Sequence, residues 1–164
     1  MLSIAALPHH WFDMGTPPEE FGGSPVDLTL IDDGLVDPDS NTLRRAELLA
    51  ARKRVYETVH PSSRHGGAPG RAGGGKRPRR EGASGAVRSH AADAATRTGL
   101  SERSIRQLVQ IAQGIPEPLR ELIRDTPLAS RQRALLDVAR ARHDPEEQRR
   151  RVGAALAECR ARLS

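Results

Sequence analysis

Arginine, glutamine and serine side chains are concentrated between residues 101 and 110, at spacings that place several of them on one face of a helix. An arginine guanidinium can donate two hydrogen bonds to N7 and O6 of guanine, and a glutamine amide can pair in the same way with adenine. Serine hydroxyls at a helix start suit contacts with the phosphate backbone. The chemistry predicted here is hydrogen bonding to double-stranded DNA, through Ser101, Arg103, Ser104, Arg106, Gln107 and Gln110.

Two short helices joined by a tight turn must position these side chains. Gly99 falls where the first helix must end, and glycine can adopt the left-handed backbone conformation that closes a helix. Ser101 follows as the N-cap of the second helix. The segment 91–113 is therefore predicted to be a helix-turn-helix, although a helical hairpin with a merely solvated polar face has similar apolar spacing. The small and apolar residues in register for the motif are Ala95, Leu100, Ile105 and Leu108.

The composition argues against a single large core. Only 2% of the 164 residues are aromatic, and the mean hydropathy is -0.57, which fits a small helical domain with loose flanks. Residues 1–40 have eight acids and no Lys or Arg, residues 41–90 have twelve bases against three acids, and residues 91–164 have fourteen against ten. A basic middle and end suit a polyanionic partner, although abundant arginine can also reflect genomic base composition.

The predicted fold class is mainly α, with a helix-turn-helix inside a small C-terminal helical domain, one isolated N-terminal helix and a flexible linker. Within the N-terminal segment, residues 27–36 are either one helical turn or a brief strand. The predicted segments are, in order, an acidic and largely irregular stretch at 1–40, a helix at 41–61, a flexible basic linker at 62–88 and a helical DNA-binding domain at 89–164.

Two further groups of cations could contact phosphates. A mobile arm that binds DNA is favoured for the linker cations, with a solubilising linker as the alternative; these are Lys76, Arg77, Arg79 and Arg80. The bases on the helix at 41–61 either contact phosphates or form a solvated helix face; these are Arg44, Arg45, Arg52, Lys53 and Arg54.

Proline-marked starts predict three helices after the helix-turn-helix. The first begins at Pro118, the second at Pro127 and runs to about Arg142, and the third follows Asp144 and runs to near Leu163. Their predicted inward-facing residues are Leu119, Leu122, Ile123, Leu128, Leu135, Val138, Ala139, Val152, Leu156 and Cys159.

The sequence predicts a cytoplasmic protein associated with the nucleoid or a plasmid. The single cysteine, Cys159, excludes an internal disulfide and fits a reducing compartment. No run of eighteen apolar residues exists, so no membrane association is expected. The apolar start lacks a basic flank, so no secretory signal is expected.

Five stretches together resemble the ParB-like partition and regulatory protein family. They are LIDDGLV at 30–36, RRAELLAARKRVYETVHP at 44–61 with RHGG at 64–67, AADAATRTGLSERSIRQLVQIAQGIP at 91–116, RELIRDTPLASRQRALLDVAR at 120–140, and DPEEQRRRV at 144–152. This resemblance implies a DNA-binding protein that acts in plasmid or chromosome partition or in transcriptional regulation. Recognition of a palindromic site would require a homodimer.

The family's nucleotide-binding motif of the GxRR type is missing from residues 1–40. We therefore do not carry over CTP binding or hydrolysis, and we expect no enzyme activity, no cofactor and no metal. No nucleophile with a partnering histidine and acid, and no HExxH motif, occurs in the sequence. The alternative functions are a helical adaptor that binds an acidic protein, a non-specific nucleic-acid binder and, by analogy with relatives, a nucleotide hydrolase.

Overall fold

The regular structure of the described residues is helical. The computed structural model describes residues 24–63 and 88–162, and no strand occurs in these two ranges. The prediction of a mainly α fold is confirmed. The described ranges contain seven α-helices and two short 3-10 helices, at Pro61–Ser63 and Pro127–Ser130. The α-helices are α1 (Pro25–Leu35), α2 (Thr42–Val59), α3 (His90–Thr98), α4 (Glu102–Gly114), α5 (Glu117–Arg124), α6 (Gln132–Arg140) and α7 (Pro145–Ala161).

Side-chain caps explain where most of these helices begin. The Ser24 hydroxyl and the Asp27 carboxylate form a capping box at α1, so residues 25–35 are a helix rather than a strand. Asn41 caps α2, and Asp144 accepts hydrogen bonds from two backbone N–H groups at the start of α7. Each cap satisfies donors that a helix start leaves without an intrahelical partner.

Helix α2 is the centre of the fold, not an isolated helix as the sequence suggested. It packs against α1 on one side and α4 on another. The reason is that buried residues surround most of its circumference, and a helix that is apolar on several sides must be covered on several sides. The buried apolar residues of α2 are Leu43, Ala46, Leu48, Leu49, Ala51, Val55 and Tyr56.

The C-terminal helices differ from the prediction in two places. The single helix predicted from Pro127 to about Arg142 does not form, because a 3-10 helix occupies Pro127–Ser130 and α6 begins separately at Gln132, after Arg131. Leu128, which belongs to that 3-10 helix, is fully buried. Leu122 is 64% exposed, whereas its neighbours Leu119 and Ile123 are buried. The apolar side of α5 is therefore narrower than its sequence predicts.

Gln148 of α7 joins the ends of two other helices. Its side chain is buried, and its amide nitrogen donates to the carbonyl oxygens of Gly114 at 2.6 Å and Val138 at 3.2 Å. The Gly114 carbonyl lies at the last residue of α4, where no further turn of the helix supplies a partner, so this amide satisfies a polar group that would otherwise be costly to bury. The Val138 carbonyl also accepts the Ala141 N–H at 3.1 Å, so the bond from Gln148 is a second one there.

In the two described ranges, none of the helices combines the length and apolar character that a bilayer crossing requires.

Candidate nucleic-acid interface

The connection between α3 and α4 is a tight corner at Gly99. Gly99 has a φ of 71° and a ψ of 1°, and its N–H donates to the Ala95 carbonyl oxygen at 3.0 Å. A Cβ added at Gly99 would meet no atom within 4 Å, so glycine is favoured here by its backbone conformation rather than by space. Ser101 then caps α4, because its hydroxyl accepts the N–H of Ser104 at 3.1 Å.

One side of α4 is buried in the hydrophobic core. Ile105 is fully buried and Leu108 is nearly so. On α3, Ala95 is half-buried against the core, while Ala94 is the alanine that is completely enclosed. Since α2, α3 and α6 all pack on α4, the direction in which its opposite side faces is fixed.

The opposite side of α4 presents a row of polar side chains to solvent. Arg103, Arg106 and Gln110 are exposed, and their spacing of three and four residues places them on one helix face. Gln113 is exposed on the same face, three residues after Gln110. The sequence prediction omitted Gln113, although its position in the same periodic row could have indicated it. We call these four residues the outer row of α4.

The other predicted contact residues are placed differently. Gln107 is half-buried at the edge of the outer row, where its amide oxygen accepts from the Gln132 side chain at 3.2 Å. Ser104 is also half-buried, and its hydroxyl lies 2.9 Å from that of Ser101. Arg106 forms an ion pair with Glu102 one turn earlier, which reduces the free positive charge of the row. The linker cations Lys76, Arg77, Arg79 and Arg80 lie outside the described residues.

A buried arginine on α2 fixes the position of α3. The Arg52 side chain is fully buried, with Nε 2.6 Å from an Asp32 oxygen and Nη2 2.6 Å from an Asp93 oxygen. Burial alone would lower the pKa of Arg52, but the hydrogen bonds to Asp32 and Asp93 raise it, so the guanidinium stays charged. Arg52 therefore belongs neither to a solvated face nor to a phosphate contact, the two roles that the sequence left open.

His90, at the start of α3, lies beside this cluster as a neutral side chain. It is buried, and its ring lies edge-on to Tyr56 at 5.9 Å between ring centroids. Burial, together with the nearby charges of Arg52 and Lys53, lowers the pKa of His90 to about 4. The Tyr56 hydroxyl donates to the Arg88 carbonyl oxygen at 2.9 Å, which anchors the chain just before α3.

A second buried charge on α2 binds α5. The Glu47 carboxylate lies 3.1 Å from Arg124 and 3.8 Å from Arg120, and Glu117 completes the group. Burial raises the pKa of Glu47 despite these two cations. Among the described residues, no group of three His, Cys, Asp or Glu side chains could hold a metal ion.

Comparison with known proteins gives no relative: no family model, no curated protein and no solved structure matches this chain. The resemblance to the ParB-like family thus stays a prediction from the sequence.

Proposed function

We propose that this protein binds double-stranded DNA at preferred sequences, with α4 in the major groove. The observation on which the proposal depends is the outer row of α4, in which Arg103, Arg106 and Gln110 are exposed on one face. Arginine and glutamine are the side chains that recognise guanine and adenine through paired hydrogen bonds. A row of them on a fixed helix is a surface suited to base recognition.

The dimensions and surroundings of α4 support this role. A helix of 13 residues is about 20 Å long, and the major groove, about 12 Å wide, admits one helix. Because the other side of α4 is buried in the core, the outer row needs no rearrangement of the backbone before it meets DNA.

The start of α4 supports a contact with the DNA backbone. Helix N-termini attract phosphates through free N–H groups and the positive end of the helix dipole. Ser101 and Ser104 lie there; one hydroxyl donates to the other, and the second hydroxyl proton can be donated to a phosphate oxygen. The Glu102 carboxylate opposes a phosphate at this position, but it can instead accept a hydrogen bond from cytosine.

The biological role that we propose is partition of a plasmid or chromosome, or transcriptional regulation, in the cytoplasm. It rests on the resemblance to the ParB-like family and on the helix-turn-helix spacing. Two copies of the chain would be needed to recognise a palindromic site, with half-sites about 34 Å apart. The linker cations would add phosphate contacts that strengthen binding at any sequence.

Selection of bound sequences from a random pool of duplex DNA tests the proposal. We expect an enriched site, and we expect Arg106→Ala and Gln110→Ala each to reduce discrimination at one base pair by about 1 to 3 kcal/mol. Arg149→Ala is the matched control, since Arg149 is exposed on α7. It should lower affinity slightly and leave the preferred site unchanged.

Two results would contradict base recognition by α4. One is an unchanged site preference in both α4 variants. The other is equal binding of the wild-type chain to every duplex with a steep dependence on salt, which would point to non-specific binding. Binding to an acidic protein without any affinity for DNA would favour the adaptor function.

A further inference from the structure

Helices α4 and α6 run side by side in the same direction. Gln107 of α4 contacts Gln132 of α6 through a hydrogen bond of 3.2 Å. Seven residues further along each helix, Gly114 packs so closely on Ala139 that an added Cβ would lie 2.7 Å from the Ala139 carbonyl oxygen. Equal steps between the two contacts show that the helices are parallel over about 10 Å, or two turns.

The exposed rows of these two helices face the same side of the molecule. On α6 the exposed row consists of Arg133, Asp137 and Arg140. With 3.6 residues per turn, the outer row of α4 lies about 70° around the helix from its contact with α6. The α6 row lies about 115° from its contact with α4, in the opposite rotational sense. For parallel helices these offsets make the two rows point in directions that agree to within about 10°.

The α6 row has two positive charges that no other described residue neutralises. Within the described ranges, Arg133 and Arg140 form neither a hydrogen bond nor an ion pair. Asp137 lies between them, but Arg151 of α7 contacts its carboxylate at 3.3 Å and its carbonyl oxygen at 2.8 Å. The row therefore has two available guanidinium groups, next to an open groove of about 810 Å³ between α6 and α7 that further arginines line.

We propose that Arg133 and Arg140 bind phosphates of the DNA strand that borders the groove entered by α4. Packed helix axes lie about 8 to 10 Å apart, so a helix beside one in a groove about 12 Å wide lies over the flanking backbone. Guanidinium groups bind phosphate oxygens in pairs. Helix α6 would then position the protein on the duplex while α4 recognises bases. This inference rests on the proposed function.

The test measures binding of the full chain to a duplex with the selected site and to a scrambled duplex of equal length and composition, across a range of salt concentrations. Arg133→Gln and Arg140→Gln should each weaken binding to both duplexes about five- to tenfold at 0.1 M salt. Each should also reduce the slope of log affinity against log salt by about one, without changing the ratio between the two duplexes.

Arg149→Gln is the matched control for the loss of one charge. Arg149 is exposed, and it lies about 200° around α7 from Arg151, the residue that contacts Asp137. It should therefore face away from the α6 row and leave the salt slope nearly unchanged. Arg133→Lys keeps the charge and should keep most of the slope, while thermal unfolding checks that every variant is folded.

The inference is overturned if both α6 variants bind DNA with the affinity and salt slope of the wild-type chain, or if they lose no more than Arg149→Gln loses. Either result would leave site recognition by α4 in place. A changed ratio between the duplexes would also overturn it, because phosphate contacts do not discriminate bases. If the wild-type chain has no preferred site but Arg133→Gln still lowers the slope, the phosphate contact stands and base recognition fails. Absence of any DNA binding overturns both.

Discussion

Two clusters of charged side chains are each centred on a buried residue of α2, and the two central residues have opposite charge. In the Arg52 cluster, Arg52 and Arg97 face Asp32 and Asp93. In the Glu47 cluster, Glu47 and Glu117 face Arg120 and Arg124. Each cluster thus has two charges of each sign, and in each the most buried member belongs to α2.

The clusters differ in what they connect and in whether their central charge can be removed. The Arg52 cluster joins α1, α2 and α3, and α3 leads through Gly99 into α4. Among the described residues, the Glu47 cluster joins α2 to α5 and to no other helix. Arginine cannot lose its proton in a protein, whereas a buried glutamate can gain one. The comparison teaches that the helices of the candidate interface are held by the charge that pH cannot remove.

Replacement of Arg52 should have the largest effect. We expect Arg52→Ala to lower the free energy of unfolding by about 3 to 5 kcal/mol, because Asp32 and Asp93 would lose a buried partner. Urea denaturation at pH 7 measures this. Arg97→Ala, whose side chain is 60% exposed, is the control and should cost less than about 1 kcal/mol. Similar costs for the two variants would refute the central role of Arg52.

Acid should destabilise the folded chain through His90, which lies beside the Arg52 cluster, with the next largest effect. The pKa of His90 is about 4 in the folded chain, against 6.5 as its ordinary value. Between these values the unfolded chain binds a proton that the folded chain excludes. Stability is therefore unaffected above pH 6.5 and falls as pH drops towards 4, by up to about 3 kcal/mol.

Denaturation at several pH values checks this expectation. His90→Leu should remove the dependence of the free energy of unfolding on pH that His90 causes between pH 6.5 and 4. The exposed His143 supplies the control, since His143→Gln should keep the dependence of the wild-type chain. An identical pH dependence in His90→Leu and wild type would show that another group is responsible.

Neutralisation of Glu47 should have the smallest effect. Burial raises the pKa of Glu47 above 4.5, so the folded chain stabilises the ionised carboxylate less, relative to the protonated form, than the unfolded chain does. Its contribution to stability accordingly decreases as pH rises from 4.5 through the folded pKa. We expect Glu47→Gln to change the free energy of unfolding at pH 7 by no more than about 1 kcal/mol. If Glu47→Gln lowered the free energy of unfolding as much as Arg52→Ala does, the two clusters would not differ in their contribution to stability.

Local signals in the sequence predicted most of the helices. Apolar periodicity, proline starts and capping residues act over a few residues, so they indicated α2 to α5, α7 and the corner at Gly99. The same signals failed at Pro127, where a proline start opened a 3-10 helix instead of α6. They also left α1 undecided, because its apolar pattern is short and its capping box begins at Ser24, before that pattern starts.

The candidate site was predictable only in part. Exposure of Arg103, Arg106 and Gln110 follows from helix periodicity and the buried Ile105. Other polar residues bind partners that lie far away in the sequence, and helix periodicity does not indicate such partners. Gln107 contacts Gln132 from another helix, and Arg52 binds Asp93, 41 residues away. Tertiary packing, not local pattern, decides which polar side chains of a helix remain free.

The amide of Gln148 has a consequence for any long ligand that lies across α4 and α6. Because it bridges a carbonyl group at the end of each helix, neither helix can slide along the other without breaking a buried hydrogen bond. The separation of the two exposed rows is thereby constant. A ligand that contacts both rows must therefore carry groups at that same separation. When it binds, the protein loses little conformational freedom, because the two helices are already fixed.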